Sequence, residues 1–210
     1  MIDRWTHAWV QAPLNLLAKS LVGKVTPDQL TLAGFLIGLL SVPLLAMEWY
    51  IPALIAIMSN RVLDGLDGTL ARYTQPTDAG GFLDICLDFI FYAAVILGFA
   101  LANPAQNALA AAFLLFCFMG TGSSFLAFAI MAEKHQIERI QFDSKSLYYL
   151  GGIAEGTETL LFYVAICLWP QQFSTLAFIF GALCLITTLT RVYGGYRTLS
   201  RLPGQSESPS

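Results

Sequence analysis

Residues 64–88 read DGLDGTLARYTQPTDAGGFLDICLD and place five aspartates in a chain of strongly apolar composition. Hydrophobic residues make up 56% of the 210 residues and charged residues only 12%, whereas an ordinary soluble domain is about 25% charged. Several apolar runs reach the roughly 18 to 20 residues that a bilayer requires. The composition therefore predicts one polytopic membrane domain, in which these carboxylates need a specific explanation.

Turn signals divide the chain into six apolar segments, and we expect an all-α protein with six transmembrane helices. Thr26, Pro27 and Gln29 form the pattern of a capping box just before the first segment. Asn103 and Pro104 form a strong turn signal between the third and fourth segments. The predicted helices cover 30–47, 49–73, 79–101, 106–132, 152–169 and 173–193.

The basic residues predict the orientation of the chain, because Lys and Arg concentrate in cytoplasmic loops. With six crossings, both chain ends lie on the same side of the membrane. All 11 Lys and Arg residues then fall on that side, whereas the turns near Glu48, Asn103 and Pro170 contain none. The sequence therefore predicts cytoplasmic amino and carboxyl ends and a cytoplasmic position for the aspartate-rich segment.

Composition divides the chain into three parts. Residues 1–25 interleave tryptophan and leucine with Arg4 and Lys19, which predicts an amphipathic helix in the membrane interface; a loose tail is the alternative. Residues 26–197 form the predicted membrane domain, and residues 198–210 are expected to be a disordered cytoplasmic tail. The four cysteines are scattered singly through the predicted spans and are interpreted as packing residues.

The aspartates of residues 64–88 fall on two helix faces when each residue advances the direction by about 100°. One face lies at the end of the second predicted helix and the other at the start of the third. Because a short loop joins these helices, we expect antiparallel neighbours whose four carboxylates converge. The first face carries Asp64, Asp67, Gly68 and Ala71, and the second carries Gly81, Asp84 and Asp88.

Four carboxylates at membrane depth repel one another, and each costs up to roughly 2.5 to 3.5 kcal/mol on insertion scales. A cluster of oxygen ligands is what hard divalent ions such as Mg²⁺ or Mn²⁺ prefer. We therefore expect two such ions bridged by the four aspartates; a hydrated surface patch is the alternative. The small residues beside the carboxylates leave space for a bulky ligand, and Arg72 offers a guanidinium group to a phosphate.

The pattern Asp64-xx-Asp67-Gly68-xx-Ala71-Arg72, eight residues, then Gly81-xx-Asp84-xxx-Asp88 resembles the signature of the CDP-alcohol phosphatidyltransferase family. The resemblance covers roughly residues 26–197 and is strongest to a branch of bacterial inner-membrane proteins of about this size. It implies transfer of a substituted phosphate from a CDP-linked alcohol, typically CDP-diacylglycerol, to an acceptor alcohol. The reaction releases CMP and belongs to phospholipid biosynthesis.

The resemblance also implies roles for individual residues and partners. The metal ions would be held by Asp64, Asp67, Asp84 and Asp88, and Asp88 would also remove the acceptor's proton. The cytidine nucleotide would be bordered by Asp64, Asp67, Gly68, Ala71, Arg72 and Gly81. The family further implies a homodimer in the bacterial inner membrane, and no nucleic-acid partner is expected.

The acceptor alcohol and one alternative function stay open at this point. A phosphorylated acceptor would suit the basic residues Lys134, Arg139, Lys145 and Arg191, but the membrane topology alone also places basic residues there. Glu155 and Glu158 favour an amino alcohol or a polyhydroxyl compound, or they are structural acids that pair with those basic residues. Ion or proton transport is the alternative function, because intramembrane aspartates also mark transport pathways.

Overall fold

The computed structural model of the chain describes residues 3–135 and 152–201, with side chains described from residue 12 onward. These residues form helices and no strand, which confirms the all-α prediction. Residues 202–210 of the predicted tail lie outside the described ranges. The α-helices are α1 (Asp3–Leu21), α2 (Pro27–Leu39), α3 (Ser41–Ala46), α4 (Tyr50–Tyr73), α5 (Asp78–Ala102), α6 (Pro104–Lys134), α7 (Gly156–Leu168) and α8 (Phe173–Leu199), with a 3-10 turn at Pro170–Gln172.

All six predicted segments are helical, and four of them have the length and apolar composition of a membrane span. The other two are α4, which is 24 residues long but contains four charged residues, and α7, which has 13 residues. Large apolar side chains such as Leu109 and Met119 are exposed on the helix surfaces, as expected for helices that face lipid. The four spans are Pro27–Ala46, Asp78–Ala102, Pro104–Lys134 and Pro170–Leu199.

The first predicted helix, 30–47, is in fact two helices. It begins with the predicted capping box, in which the Gln29 backbone N–H donates to the Thr26 hydroxyl at 3.3 Å. Pro43 has no N–H to donate to the Leu39 carbonyl, and its ring crowds that carbonyl. The helix therefore ends at Leu39 and restarts as α3, a break that the continuous apolar pattern does not indicate.

The two aspartate-bearing helices meet through side chains rather than through their backbones. α2 and α3 pack against both α4 and α5, whereas the backbones of α4 and α5 do not pack closely together. Glycines allow α2 its close approach: a Cβ at Gly34 would lie 3.0 Å from the Leu63 Cβ, and one at Gly38 would lie 2.7 Å from the Phe91 ring. The expected antiparallel neighbours are therefore separated, and this separation leaves room for a site between them.

The start of the chain is a helix, as expected, and this helix packs on α4. Its Ala18 is fully buried against Leu66 and Leu70. Leu16 and Leu17 are exposed, which suits a helix that presents apolar side chains to the membrane interface. The tryptophans that contributed to the prediction lie before residue 12, outside the described side chains.

Candidate metal and nucleotide site

Three of the predicted metal ligands lie close together where α4 ends and α5 begins. Asp64, Asp84 and Asp88 each offer an oxygen, and these oxygens lie within 4.8 Å of one another. All three side chains are half-buried. Helical spacing places Asp84 and Asp88 one turn apart on α5, and Asp64 reaches the same point from α4. Such a group of acidic oxygens suits a hard divalent cation.

Asp67 joins this site from a more buried position. The residue is only 3% exposed, and its Oδ2 atom has no hydrogen-bond partner within the described part of the chain. Asp67 lines the same cavity as the other three aspartates. A buried carboxylate oxygen without a partner is energetically costly, and a cation in this cavity would satisfy it. The residues present therefore fit a divalent metal site.

The cavity lies between α2, α4 and α5, so the wall opposite the aspartates comes from a helix to which the sequence analysis assigned no role. Thr31, Gly34 and Phe35 of α2 form this wall. They were missed because the apolar pattern of α2 gives no sign of which side faces a site. The full lining is Thr31, Gly34, Phe35, Asn60, Asp64, Asp67, Asp84, Leu87 and Asp88.

The space predicted beside the carboxylates is present. A Cβ added at Gly68 or Gly81 would meet, apart from the adjacent backbone of its own helix, no atom within 4 Å, so the protein does not fill either position. Ala71 is half-buried one turn after Asp67. Arg72 is exposed at the end of α4, and its Nη2 donates to the Thr69 hydroxyl at 3.0 Å. These residues border an open region in which a nucleotide could lie.

Arg61 belongs to the site, although the sequence analysis used it only as a topology marker. Its Nη2 donates to Asp88 Oδ1 at 2.6 Å, and its Nη1 lies 3.6 Å from Asp64 Oδ2. The signal that could have found it is its position three residues before Asp64, which places both side chains on one helix face. Arg61 thus adds a fixed positive charge to the acidic cluster.

Glu155, Glu158 and Arg191, three of the residues predicted to bind the acceptor, lie in a second polar region at the start of α7 and on α8. Glu155 Oε1 lies 3.6 Å from Arg191 Nη2 and accepts the backbone N–H of Gly152 at 2.7 Å. The Glu158 carboxylate accepts the backbone N–H of Glu155 at 3.3 Å. The structural alternative for the glutamates predicts a pairing with a basic residue, and Glu155 makes one with Arg191. Lys134 is exposed at the end of α6, and Arg139 and Lys145 lie outside the described residues.

Comparison with known proteins identifies the class to which this fold and site belong. Residues 24–190 match the model of the CDP-alcohol phosphatidyltransferase family, and the chain belongs to this family. It is 57% identical over 206 residues to the inner membrane protein YnjF of Escherichia coli strain K12, covering 98% of this chain and 100% of that protein. It is 40% identical over 96 residues to the archaetidylinositol phosphate synthase of Pyrococcus horikoshii, covering 45% of this chain and 51% of that protein.

Solved structures share the fold. The crystal structure of the Mycobacterium tuberculosis phosphatidylinositol phosphate synthase with CDP-DAG bound has a TM-score of 0.66 at 19% identity, covering 94% of this chain and 98% of that one. The same enzyme in complex with manganese and citrate also has a TM-score of 0.66, covering 94% and 93%. Family membership makes this protein a membrane transferase of phospholipid biosynthesis, which confirms the family predicted from the signature and disfavours the transport alternative.

Proposed function

We propose that the protein transfers a phosphatidyl group from CDP-diacylglycerol to the hydroxyl of a small acceptor alcohol and releases CMP. The main support is the convergence of Asp64, Asp84 and Asp88, whose oxygens lie within 4.8 Å of one another, beside open space at Gly68 and Gly81. CDP-DAG is also the ligand named for a crystal structure with the same fold.

The donor nucleotide lies, in this proposal, along the open region at the end of α4 and the start of α5. Gly68, Ala71 and Gly81 present little side-chain bulk there. Arg72 is exposed beside them and offers its guanidinium group to a phosphate oxygen. The apolar outer faces of the spanning helices would keep the two acyl chains in the bilayer.

The four aspartates Asp64, Asp67, Asp84 and Asp88 would hold two divalent ions, Mg²⁺ or Mn²⁺. When bound, such ions neutralise the charge of the diphosphate and of the departing CMP. Support comes from the unpartnered Oδ2 of Asp67, which lines the same cavity as the other three carboxylates. Manganese is named in a crystal structure with the same fold.

Asp88 would act as the base for the acceptor hydroxyl. Its side chain is 31% exposed, so that a hydroxyl can approach it, and Arg61 fixes the position of its Oδ1. The acceptor oxygen loses its proton to Asp88 while it bonds to the phosphorus that carries diacylglycerol. The bond between that phosphorus and the bridging oxygen breaks, and this oxygen leaves with CMP.

The acceptor, we propose, carries no phosphate and is an amino alcohol or a polyhydroxyl compound. The Arg191 side chain is only 11% exposed and already pairs with Glu155, so its charge is partly balanced within the fold. A phosphorylated acceptor is the competing possibility, because the Pyrococcus relative is named for an inositol phosphate product. The acceptor panel below separates these two classes.

The bacterial inner membrane, with both chain ends in the cytoplasm, is the location we propose. The apolar spans and the similarity to the inner membrane protein YnjF support it. A cytoplasmic site would also place the aspartates on the side of the membrane where soluble acceptors and CMP are handled.

The proposed reaction is tested with purified protein in lipid nanodiscs, CDP-diacylglycerol and Mg²⁺ or Mn²⁺. CMP release is measured with a panel of amino alcohols, polyols, glycerol phosphate and inositol phosphate, and mass spectrometry identifies the lipid product. We expect metal-dependent CMP release with an acceptor that lacks phosphate; EDTA is the control. The assay is repeated with other CDP-alcohols as donors; no CMP from any of them would contradict the function, and a product only from phosphorylated acceptors would contradict the acceptor class alone.

A further inference from the structure

The Arg61 side chain contacts Asp64 and Asp88 of the aspartate cluster and is only 12% exposed. All three of its guanidinium nitrogens donate hydrogen bonds: Nε to Asn60 Oδ1 at 2.7 Å, Nη1 to the Tyr92 hydroxyl at 3.0 Å, and Nη2 to Asp88 Oδ1 at 2.6 Å. The guanidinium carbon also lies 4.6 Å from the centroid of the Phe91 ring. The contact with Asp88 is therefore one of three hydrogen bonds that together fix the orientation of the guanidinium group.

The partners of Arg61 are themselves fixed by other helices. Asn60 is 4% exposed, and its Nδ2 donates to the Gly34 carbonyl of α2 at 2.9 Å. Tyr92 lies one turn after Asp88 on α5, and its backbone carbonyl accepts the Tyr163 hydroxyl of α7 at 2.9 Å. Contacts with three helices besides α4 thus determine where the guanidinium lies. A lysine ammonium keeps the charge but lacks the planar fork that makes these bonds together.

We propose that Arg61 is a positioning residue that holds Asp88 in its working orientation and, as a fixed cation, lowers the affinity of the aspartate cluster for divalent ions. The first effect follows from the short bond that fixes Oδ1 of Asp88. The second follows from charge, since Nη1 lies 3.6 Å from Asp64 Oδ2. The positive guanidinium therefore repels a divalent ion bound by the Asp64 carboxylate. This inference rests on the proposed function and extends it to a residue outside the family signature.

Removing the guanidinium should raise the affinity for divalent ions and lower the turnover rate. The more negative cluster binds divalent ions more tightly, while the loosened Asp88 slows proton removal and turnover. A residue that served only folding would weaken both ion binding and turnover on removal. The combination of tighter ion binding with slower turnover is therefore the signature of the proposed role.

The test compares Arg61→Gln with the wild type in nanodiscs, using Mn²⁺ alone as the probe of ion binding. Titration followed by electron paramagnetic resonance of free Mn²⁺ should show about tenfold tighter binding, the size expected for removing one well-screened unit charge near the ion. With CDP-diacylglycerol, kcat should fall about 30-fold or more, a part of the roughly 100- to 10,000-fold that a positioned base contributes. The donor KM should change by less than about threefold, because the donor contacts remain.

Three further variants separate charge from geometry. Arg61→Lys keeps the charge and loses the fork, so Mn²⁺ binding should match the wild type while kcat falls. Tyr92→Phe removes only the hydroxyl that fixes Nη1 and should lower kcat several-fold with unchanged Mn²⁺ binding. Arg197→Gln changes an arginine exposed on α8 and should match the wild type in both measurements.

The outcomes that would overturn the proposal are distinct. Unchanged or weaker Mn²⁺ binding in Arg61→Gln overturns the charge effect, and an unchanged kcat overturns the positioning effect. If Arg61→Gln does not fold, a wild-type kcat in Arg61→Lys overturns the positioning role. If the wild type releases no CMP from any CDP-alcohol, the proposed function fails and the positioning role fails with it, while the Mn²⁺ titration still decides the effect of the charge.

Discussion

Asp67 and Asp88 belong to one signature, yet their side chains have different surroundings. Asp67 is 3% exposed and keeps an unpartnered Oδ2 among the described residues, whereas Asp88 is held by Arg61 and is partly open to solvent. A buried unpaired oxygen is suited to binding a metal and little else. A partly open carboxylate can also accept a proton from a substrate. We therefore expect a change at Asp67 to affect metal binding and a change at Asp88 to affect proton removal as well.

Asp84→Asn should abolish metal-dependent turnover, and Asp88→Asn should lower kcat by about 100-fold or more while donor binding falls much less. An amide is a weaker ligand for Mg²⁺ or Mn²⁺ than a carboxylate and does not act as a base. CMP release and binding of CDP-diacylglycerol are the measurements. Asp78→Asn is the matched control, because Asp78 is exposed at the first turn of α5 and lies outside the signature. Near-normal rates of CMP release in both Asp84→Asn and Asp88→Asn would contradict the assignment of these aspartates to the active site.

Gly81→Ala tests whether the open space beside the cluster belongs to the donor. Apart from the adjacent backbone of α5, a Cβ there meets no protein atom within 4 Å, so the free energy of unfolding should stay the same or rise by up to about 1 kcal/mol from helix propensity. The donor KM should rise about tenfold, equivalent to about 1.4 kcal/mol. Thermal unfolding and steady-state kinetics measure the two effects.

Gly122→Ala is the control for the glycine experiment and should behave in the opposite way. A Cβ at Gly122 would overlap the Phe89 ring, so we expect a loss of about 1 to 3 kcal/mol of stability from overpacking. Its donor KM should stay at the wild-type value. A stable Gly81→Ala variant with an unchanged donor KM would mean that the space at Gly81 is not used by the nucleotide.

At the scale of elements, the start of α7 shows how one helix end depends on another helix. The Thr187 hydroxyl of α8 accepts the backbone N–H groups of Ile153 and Ala154 at 3.0 and 3.1 Å. Glu155 adds its ion pair with Arg191 of the same helix. Together these contacts attach the segment before α7 to α8, and they explain why polar residues occur in an apolar part of the chain.

Thr187→Val keeps the side-chain shape and removes the oxygen, so two N–H groups lose their acceptor. We expect a loss of about 1 to 3 kcal/mol in the free energy of unfolding, the cost of leaving the buried N–H of Ala154 and the partly buried N–H of Ile153 unsatisfied. Thermal unfolding in detergent measures it. Thr190→Val is the control, because the Thr190 hydroxyl donates to the Thr187 carbonyl within α8 and its loss should have little effect. Equal stability of the two variants would show that the Thr187 contacts do not stabilise the fold.

At the scale of the whole molecule, the site requires three helices, α2, α4 and α5, to pack together. α2 packs against both α4 and α5 and supplies the wall opposite the aspartates, while α6 and α8 pack together. The positions of the basic residues predict that this site faces the cytoplasm. That orientation stays a prediction and can be measured directly on the whole chain.

Single-cysteine labelling tests the orientation after the four native cysteines are replaced by serine or alanine. Lys24 and Gln171 are both exposed and lie at opposite predicted ends of the spans. A membrane-impermeant maleimide added to intact cells should label Gln171→Cys at once and Lys24→Cys only after permeabilisation, because charged reagents do not cross a bilayer. The reverse pattern would place the site on the outer side.

Much of the site could be predicted from the sequence because the relevant rules are local. Each helical residue advances by about 100°, so the spacing of Asp64, Asp67, Asp84 and Asp88 alone defines two acidic faces. The loop between α4 and α5 spans only residues 74–77, so the two faces could not be far apart. The capping box at Thr26 is equally local and is present as predicted. Pro43 is also a local signal for the break before α3, but the continuous apolar run led to the prediction of one uninterrupted helix.

The sequence by itself thus determined the membrane class, the acidic faces and the family signature. Only the tertiary structure decided that α2 completes the cavity, that Arg61 reaches from α4 to Asp88 on α5, and that Glu155 pairs with Arg191. The physical reason is that helical periodicity relates residues a few positions apart. Contacts between side chains 27 or 36 positions apart depend on how whole helices pack, and a local pattern does not contain that information.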